Sequence, residues 1–395
     1  MRRSRVKSRK RRGNLDLKKL KDLANIDFKK LSNTSIKKKT SKKSNKKRKV
    51  VAFDIGYSSI KIVEGTYYKR NLSIDKLIKI PTPDGTIKDG EIIKKDKLVN
   101  LLQTALTNNS ITAKEGICTN NSTTIINREL TIPKVEDDEI DTVVRYEIQQ
   151  YLPINLDDYV LQTNILGEEK LEDNERLSVR AIAYPEKMAR GYYELIESLN
   201  LKPLALDVNY NALNKLANYI KVINEYEYNS KEVAVFIDMG ATSLDVNIYN
   251  EGILQFTRMI KAGGINLDDI LTESLDVPKD ELEKYKKDNI DLSLENLSNQ
   301  GRDIVGEIDE WIDKIEKVIQ FYKNKNMGIG VNNIFIYGGT SKIKGLNEYM
   351  TSKLLMNVIK IESISKIDLN TQVNMGESID SFINAIGSII RIEGD

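Results

Sequence analysis

The sequence predicts an α/β fold in which one domain architecture occurs twice. Two stretches repeat one pattern: an apolar run, then Asp-x-Gly, a short turn with hydroxyl groups, and a second alternating run. The first copy covers residues 50–64 and the second covers residues 233–248. Each pattern is typical of a strand, a tight glycine turn and a returning strand. Because the copies lie far apart, they indicate a duplicated domain rather than a solenoid of short repeats.

Each Asp-x-Gly turn has the features of a phosphate-binding site. Glycine lets the backbone come close to a ligand, and consecutive N–H groups in a turn form a concavity that binds anions. Asp54 and Asp238 stand where the first strand of each copy ends. A carboxylate there can hold hydrated Mg²⁺, which needs only one or two carboxylates besides phosphate oxygens. Two facing turns therefore predict a polyphosphate site, although either one alone could be an ordinary turn.

The composition limits the chemistry that the chain can perform. Its 395 residues are enough for two domains or more. It has no histidine and one cysteine, Cys118, which excludes His-dependent triads, zinc sites built from His or Cys, and a disulfide framework. The single cysteine fits a reducing cytosol. No apolar run approaches the roughly 18 residues that a transmembrane helix requires.

Charge is strongly segregated along the chain. Residues 1–49 contain 22 Lys and Arg against three Asp, a net charge of +19, whereas the remainder has 39 basic and 55 acidic residues, a net charge of −16. We interpret residues 1–49 as a basic, largely disordered arm. Leu17, Leu20, Phe28 and Leu31 fall at helical spacing within it, as in a short amphipathic helix on an anionic membrane or a partner. A helix without a function and a nucleic-acid-binding arm are the alternatives.

The other elements follow in order along the chain. After the first hairpin, the sequence predicts a strand at 72–80, a helix at 94–108 and a strand at 115–119. A β-α-β-β-α block comes next, with its elements at 125–130, 136–151, 159–166, 177–183 and 187–199. A strand at 204–208 and a helix at 211–221 lead to the second hairpin. Beyond it we expect an irregular polar stretch at 278–300, a helix at 304–322, a strand at 333–337, and helices that begin near Gly345 and Phe382.

A third glycine turn, Gly338-Gly339-Thr340, follows the apolar strand at 333–337. Together with the two Asp-x-Gly turns, it resembles the actin/Hsp70/FtsA ATPase superfamily over nearly all of residues 50–395. Within that superfamily the chain is most similar to the PilM proteins of type IV pilus assembly. The stretches that carry this likeness are 54–61, 144–153, 252–258, 263–264, 320–322 and 336–340.

The resemblance implies a duplicated actin-like (RNase H-like) ATPase fold with an inserted β-α-β-β-α subdomain of the FtsA and PilM type. It implies a division into four subdomains beyond the arm. These are IA at 50–124, 205–229 and 379–395, IC at 125–204, IIA at 230–262 and 327–378, and IIB at 263–326.

The resemblance also implies ATP and Mg²⁺ as ligands and assigns residues to them. The residues that would face the metal are Asp54, Asp238 and Asp245. Those that would line the phosphates are Gly56, Ser58, Ser59 and Lys61 on one side and Gly240, Ala241, Thr242 and Ser243 on the other. A helix N-terminus would be brought to the site by Gly263 and Gly264, and adenine and ribose would lie against Gly338, Gly339 and Thr340. For Lys61 and Asp245, the alternative is an exposed position without a role.

Two positions depart from the pattern of this superfamily. Tyr57 stands where the first loop usually has Ser or Thr. Asn209 stands where relatives with clear turnover carry Glu or Gln to orient the attacking water. Asn is shorter and a poor base. With Asn209 and Asp245 as the catalytic candidates, we therefore expect slow or absent ATP hydrolysis.

The resemblance implies a protein partner as well. In PilM proteins, the N-terminal cytoplasmic peptide of PilN, an inner-membrane protein, docks beside the inserted subdomain. The residues that could line such a groove are Tyr146, Tyr151, Leu152 and Pro153, unless they form the core of that subdomain. We expect a cytoplasmic protein at the inner face of the cell membrane, with a PilN-like protein and other pilus assembly proteins as partners. The resemblance does not extend to the arm at residues 1–49, so it implies nothing about the role of the arm.

Three other functions are weighed against this prediction. An FtsA-like division protein would need a C-terminal amphipathic membrane helix, whereas this chain ends soon after Ile392. A small-molecule kinase of the same fold would need a substrate base and a substrate lobe, for which no convincing pattern is found. A nucleic-acid-binding arm would favour aromatic residues for base stacking, and the arm contains only Phe28.

Overall fold

The computed structural model describes residues 47–171, 174–278, 281–293, 299–365, 367–369 and 378–391. The basic arm up to residue 46, including the proposed amphipathic segment, lies outside the described residues, as do residues 392–395. No helix within the described ranges is both long enough and apolar enough to cross a bilayer.

The strands are β1 (Lys49–Ile55), β2 (Ser59–Tyr68), β3 (Asn71–Pro81), β4 (Ile87–Lys88), β5 (Glu91–Ile92), β6 (Glu115–Asn120), β7 (Ile126–Pro133), β8 (Tyr159–Leu171), β9 (Asn174–Pro185), β10 (Lys202–Val208), β11 (Val222–Ile223), β12 (Tyr226–Glu227), β13 (Ala234–Met239), β14 (Leu244–Asn250), β15 (Ile253–Ile260), β16 (Asn333–Tyr337), β17 (Val358–Lys360) and β18 (Ile367–Leu369). The helices are α1 (Lys95–Asn108), α2 (Ile140–Tyr151), α3 (Glu186–Ser198), α4 (Asn209–Tyr219), α5 (Gly264–Leu275), α6 (Leu282–Asn289), α7 (Asn299–Lys325), α8 (Leu346–Leu354) and α9 (Ile383–Ile389).

The first half is built on a sheet with the strand order β10-β6-β1-β2-β3-β18. Strand β1 pairs antiparallel with β2 and parallel with β6, and β6 pairs parallel with β10. The carboxyl ends of β1, β6 and β10 therefore meet at one edge of the sheet. In an open α/β sheet this edge is where ligands usually bind.

The second half repeats this arrangement in the order β15-β14-β13-β16-β17. Strand β13 pairs antiparallel with β14 and parallel with β16, as β1 does with β2 and β6. Asp54 lies opposite Lys61 across the first hairpin, and Asp238 lies opposite Asp245 across the second. The predicted duplication is confirmed down to the register of the two hairpins.

The insert between β6 and β10 has the predicted β-α-β-β-α order, with a three-stranded sheet in the order β7-β9-β8. Helix α2 packs on one face of this sheet through Val144 and Ile148, which share a separate core with Val179. Helix α3, by contrast, buries its apolar face in the core of the first half. A Cβ on Gly116 of β6 would lie 2.8 Å from Ile196 of α3, so the helix is seated closely on the first sheet. Helix α3 therefore packs against the first sheet as well as against the insert sheet, and the boundaries 125–204 stay a prediction.

Two expectations need correction. The stretch 278–300, expected to be irregular, contains α6, because Leu282 at its start and Ile290 just beyond it anchor it in the core of the second half. Strand β18 lies within the range 327–378 expected for the second half but pairs parallel with β3 at the edge of the first sheet. The chain thus crosses back earlier than expected, because so short a strand gives no periodic signal.

Candidate functional site

Three aspartates converge in the cleft between the two sheets. Asp54 lies near the end of β1, Asp238 near the end of β13, and Asp245 near the start of β14. Burial, reinforced by the charges of Asp245 and Asp54, raises the pKa of Asp238 to about 7. Burial likewise raises the pKa of Asp245 to about 6, although the hydrogen bond from Asn121 opposes the shift. Carboxylates this close together, with little solvent, favour a bound cation.

The first predicted phosphate loop is the turn between β1 and β2. The Gly56 N–H donates to the Ser59 carbonyl at 3.2 Å, which closes the turn. The Thr82 hydroxyl donates to the Gly56 carbonyl at 2.8 Å and braces the turn from outside. Lys61 Nζ lies 3.6 Å from Asp54 Oδ2, so this lysine is in the cleft and not on a solvated face. The residues at the tip, Tyr57 and Ser58, are exposed.

The second predicted phosphate loop has the same closure, since the Gly240 N–H donates to the Ser243 carbonyl at 2.9 Å. Helix α5 braces it: the Gly264 N–H donates to the Gly240 carbonyl at 3.1 Å. A Cβ on Gly263 would lie 2.6 Å from that carbonyl oxygen, which explains the glycine there. The first N–H groups of α5 are therefore engaged by the loop. Gly263 and Gly264 hold the loop in place, and the role predicted for them, of bringing a helix N-terminus to the site, stays a prediction.

The third glycine turn lies directly against Asp238. Gly338 has a φ of +97°, and a Cβ there would lie 2.6 Å from Asp238 Oδ1. Only glycine combines this backbone conformation with so close an approach. The adjacent Gly339 is exposed, and the Thr340 hydroxyl donates to the Gly240 carbonyl at 2.9 Å. The structure thus brings all three predicted turns together around the aspartates.

Two amides that the sequence analysis missed connect the halves at this point. Asn384 of α9 donates from Nδ2 to Asp238 Oδ2 at 2.7 Å, and the Tyr337 hydroxyl donates to Asn384 Oδ1 at 3.1 Å. Asn121, just after β6, donates from Nδ2 to Asp245 Oδ2 at 2.8 Å. Both amides come from the first half and both acceptors from the second. An asparagine in the mostly apolar run of α9 was the available signal for Asn384.

Asn209 is the first residue of α4 and lies at the carboxyl edge of the first sheet. Its Oδ1 accepts a hydrogen bond from the Thr119 hydroxyl at 2.9 Å. The nearby Asp207 forms a buried ion pair with Lys215 at 2.5 Å and also accepts from Asn211, so its carboxylate is committed to holding α4. Between β10 and α4 the chain therefore offers an amide, and no free carboxylate, toward the cleft.

The donor set fits a hydrated magnesium ion. Among the described residues, no three His, Cys, Asp or Glu side chains are arranged to hold a metal directly. Asp245 Oδ1 is buried and has no hydrogen-bond partner within the described chain. A buried carboxylate oxygen without a partner costs free energy unless something else binds there. Mg²⁺ keeps several of its waters and needs few carboxylates, so this site suits it.

The candidate partner residues occupy two different environments. Tyr146 and Tyr151 of α2 are 65% and 72% exposed, so they do not belong to the core of the insert. Leu152 is partly buried against that core, and Pro153 is exposed. The tyrosines are thus available to a partner, while Leu152 serves the insert itself.

A cavity of about 220 Å³ lies elsewhere, between the insert and the second half. The insert contributes Glu129, Ser178 and Arg180, and β15 contributes Ile253 and Gln255. Arg180 pairs with Glu129 at 3.3 Å. No sequence pattern pointed to this cavity, because its walls come from strands far apart in the chain.

Two sheets of matching topology, with facing Asp-x-Gly hairpins and an insert after β6, define an actin-like ATPase fold. The family described as type IV pilus assembly protein PilM matches residues 52–392, and the chain belongs to this family. The chain is similar to the structure of a PilM–PilN type IV pilus biogenesis complex, with a TM-score of 0.74 and 19% identity over 87% of this chain and 98% of that one. It is also similar to the ethanolamine utilization protein EutJ from Carboxydothermus hydrogenoformans, with a TM-score of 0.52 and 13% identity over 86% of this chain and 89% of that one.

Proposed function

We propose that this protein is the ATP-binding, actin-like component of a type IV pilus or a related secretion machine. It binds the cytoplasmic peptide of a PilN-like inner-membrane protein and works at the cytoplasmic face of the membrane. The observation that carries the nucleotide part is the meeting of Asp54, Asp238 and Asp245 between paired glycine turns.

Different residues of the cleft contact the phosphates and the metal of bound ATP. The N–H groups of Gly56 and Gly240 close their own turns, so phosphate contacts fall to the hydroxyls and the other N–H groups of the two loops. Lys61 adds a positive charge beside Asp54. Asp54, Asp238 and Asp245 would hold Mg²⁺, and the metal would supply charge neutralisation for the phosphates.

Hydrolysis is slow or absent under this proposal. Asn209 occupies the position expected to orient a water, and its amide oxygen accepts from Thr119. An amide cannot take a proton from water as a carboxylate can. A turnover rate above about 1 s⁻¹, within the ordinary range of enzymes, would contradict a role as a nucleotide-loaded scaffold.

The partner part of the proposal is supported by family membership and by the exposed tyrosines of α2. The similar solved structure is a complex of PilM with PilN. Tyr146 and Tyr151 present large, partly apolar surfaces that this chain itself leaves uncovered, and tyrosine is favoured at protein interfaces.

The nucleotide proposal is tested by calorimetry with ATP and Mg²⁺. We expect a Kd between low micromolar and millimolar, about 4–8 kcal/mol of binding free energy. Asp238→Ala removes a carboxylate of the cluster and should raise the Kd more than tenfold. Asp313→Ala, on the exposed face of α7, is the matched control and should bind as wild type does. Wild-type affinity in the Asp238→Ala variant would show that the second loop is misassigned.

A further inference from the structure

The hydrogen bond between Asn121 and Asp245 crosses the cleft from one half to the other. Its donor and acceptor lie 2.8 Å apart. The Asn121 amide oxygen accepts from the Ser122 N–H at 3.1 Å, which leaves the amide nitrogen as the group that faces Asp245. With Oδ2 held by Asn121, Oδ1 is the oxygen of Asp245 that has no partner among the described residues. The position of Asn121 therefore determines how the free oxygen of Asp245 is presented.

Asn121 also stands at the point where the chain leaves the first sheet for the insert. Its neighbour Asn120, the last residue of β6, accepts a hydrogen bond from the Tyr184 hydroxyl at 2.7 Å. Tyr184 belongs to β9, the central strand of the insert sheet, and its side chain is buried in the core of the first half. Asn120 further donates to the Gly90 carbonyl at 3.2 Å. A continuous set of contacts thus runs from Asp245 through Asn121 and Asn120 to the insert.

The segment that carries these contacts is closely packed. A Cβ on Gly90 would lie 2.5 Å from the Asn121 carbonyl oxygen, so the turn before β5 presses directly on this segment. The Tyr192 hydroxyl of α3 donates to the Gly90 carbonyl at 2.8 Å. A shift of Asn121 cannot be absorbed locally, because packed interiors pass displacements on to their neighbours.

We propose that Asn121 positions Asp245 for the metal–nucleotide complex and transmits occupancy of the cleft to the inserted subdomain through Asn120 and Tyr184. This inference rests on the proposed nucleotide binding and adds how the site is connected to the rest of the molecule. By linkage, a partner that binds the insert and favours one position of Asn121 also changes the affinity for the nucleotide. The factor is the same as the one by which the nucleotide changes the affinity for that partner.

The test combines calorimetry with hydrogen–deuterium exchange on the full-length protein, using AMP-PNP with Mg²⁺ as the probe. Three variants separate the positioning of Asp245 by Asn121 from the transmission through Asn120 and Tyr184. Asn121→Ser keeps an acceptor for the Ser122 N–H but is too short to reach Asp245. Tyr184→Phe removes only the hydroxyl that meets Asn120. Thr123→Ala is the control, because it changes the same segment and keeps the N–H that donates to Asp89 Oδ1 at 3.0 Å.

In wild type, saturating AMP-PNP should change exchange in β7 and α2 of the insert. Asn121→Ser should bind about tenfold more weakly, as expected for losing one hydrogen bond to a charged group, and should lose the insert response even at saturation. Tyr184→Phe should bind AMP-PNP within twofold of the wild-type affinity and should also lose the change in exchange in the insert. Thr123→Ala should keep the wild-type affinity and the change in exchange. An unchanged response in Asn121→Ser, or no response in wild type that binds AMP-PNP, would overturn this inference alone. Failure of wild type to bind would overturn the proposed nucleotide function, and this inference with it.

Discussion

At the scale of single residues, the cleft is defined by the three aspartates Asp54, Asp238 and Asp245. Asp238 is held by Asn384 at 2.7 Å, yet burial and two neighbouring carboxylates still raise its pKa to about 7. The unfolded chain releases this proton near pH 4. Between about pH 4 and 7 the folded state therefore binds a proton that the unfolded state does not, so this group's contribution to stability falls as the pH rises.

The first prediction concerns the pH dependence of the ligand-free protein. Asp238→Asn keeps the shape of the side chain and removes the ionisation. In buffer with EDTA, its Tm should exceed that of wild type by a few degrees at pH 8, and the difference should shrink as the pH falls from 8 to 5. The measurement is thermal unfolding of both proteins across that range. A Tm difference that does not vary with pH would show that the charge of Asp238 has no effect on folding.

The second prediction uses the two adjacent glycines of the third turn. Gly338→Ala places a Cβ 2.6 Å from Asp238 Oδ1 in a left-handed backbone conformation, whereas a Cβ on Gly339 meets nothing within 4 Å. We expect Gly338→Ala to cost about 1–3 kcal/mol of stability and to weaken ATP binding. Gly339→Ala should change stability by less than about 0.5 kcal/mol. Urea unfolding and calorimetry measure both effects, and equal behaviour of the two variants would contradict the assigned geometry.

At the scale of elements, the insert is divided between two cores. Part of its sheet forms a small core with α2, while Tyr184 and α3 pack into the core of the first half. The outer surface of α2 is thereby left to solvent, with Tyr146 and Tyr151 on it, and the attachment of α3 ties the insert to the first half. This arrangement suits a subdomain that holds a partner and stays connected to the cleft.

The third prediction addresses this surface of α2. Replacing Tyr146 and Tyr151 together by alanine should abolish co-purification of the proposed PilN-like membrane partner. The Tm should change by no more than about 1–2 °C, because exposed side chains contribute little to stability. Leu355→Ala, at a residue 88% exposed in the second half, is the matched control. Retention of the partner by the double variant would place the docking site elsewhere, with the cavity around Arg180 as the next candidate.

At the scale of the whole molecule, an acidic body is joined to a basic arm. Residues 1–49 have a net charge of +19 and the rest a net charge of −16. An anionic membrane would compete with the body for the arm, because each Lys or Arg near such a surface contributes about 1 kcal/mol, an effect that falls off within a Debye length. The arm would then hold the protein beside its membrane partner.

The fourth prediction follows from this charge segregation. Full-length protein should sediment with vesicles that contain anionic lipid at low salt and should be released near 0.5 M salt, since salt screens exposed charges. A variant that begins at residue 50 is the control and should bind under neither condition. Equal sedimentation of the two proteins, or binding of nucleic acid but not lipid by the full-length protein, would give the arm another role.

The sequence by itself determined the features that depend on neighbouring residues. Period-two apolar runs around Asp-x-Gly specify both hairpins, because alternation and a glycine turn are local properties. The strand predicted at 333–337 has those same bounds in the structure. The meeting of Asp54, Asp238 and the third glycine turn was also predictable, but only through resemblance to a known superfamily, since spacing along the chain does not show which turns face each other.

The tertiary structure alone decided what joins the halves. Asn121 and Asp245 are 124 residues apart in the chain, and Asn384 and Asp238 are 146 apart. An asparagine after a strand or within a helix looks the same whether or not a carboxylate from the other half lies beside it. The packing of α3 into the first core and the pairing of β18 with β3 are hidden for the same reason. An amphipathic pattern records that a face is buried, whereas the packing of the whole chain determines what buries it.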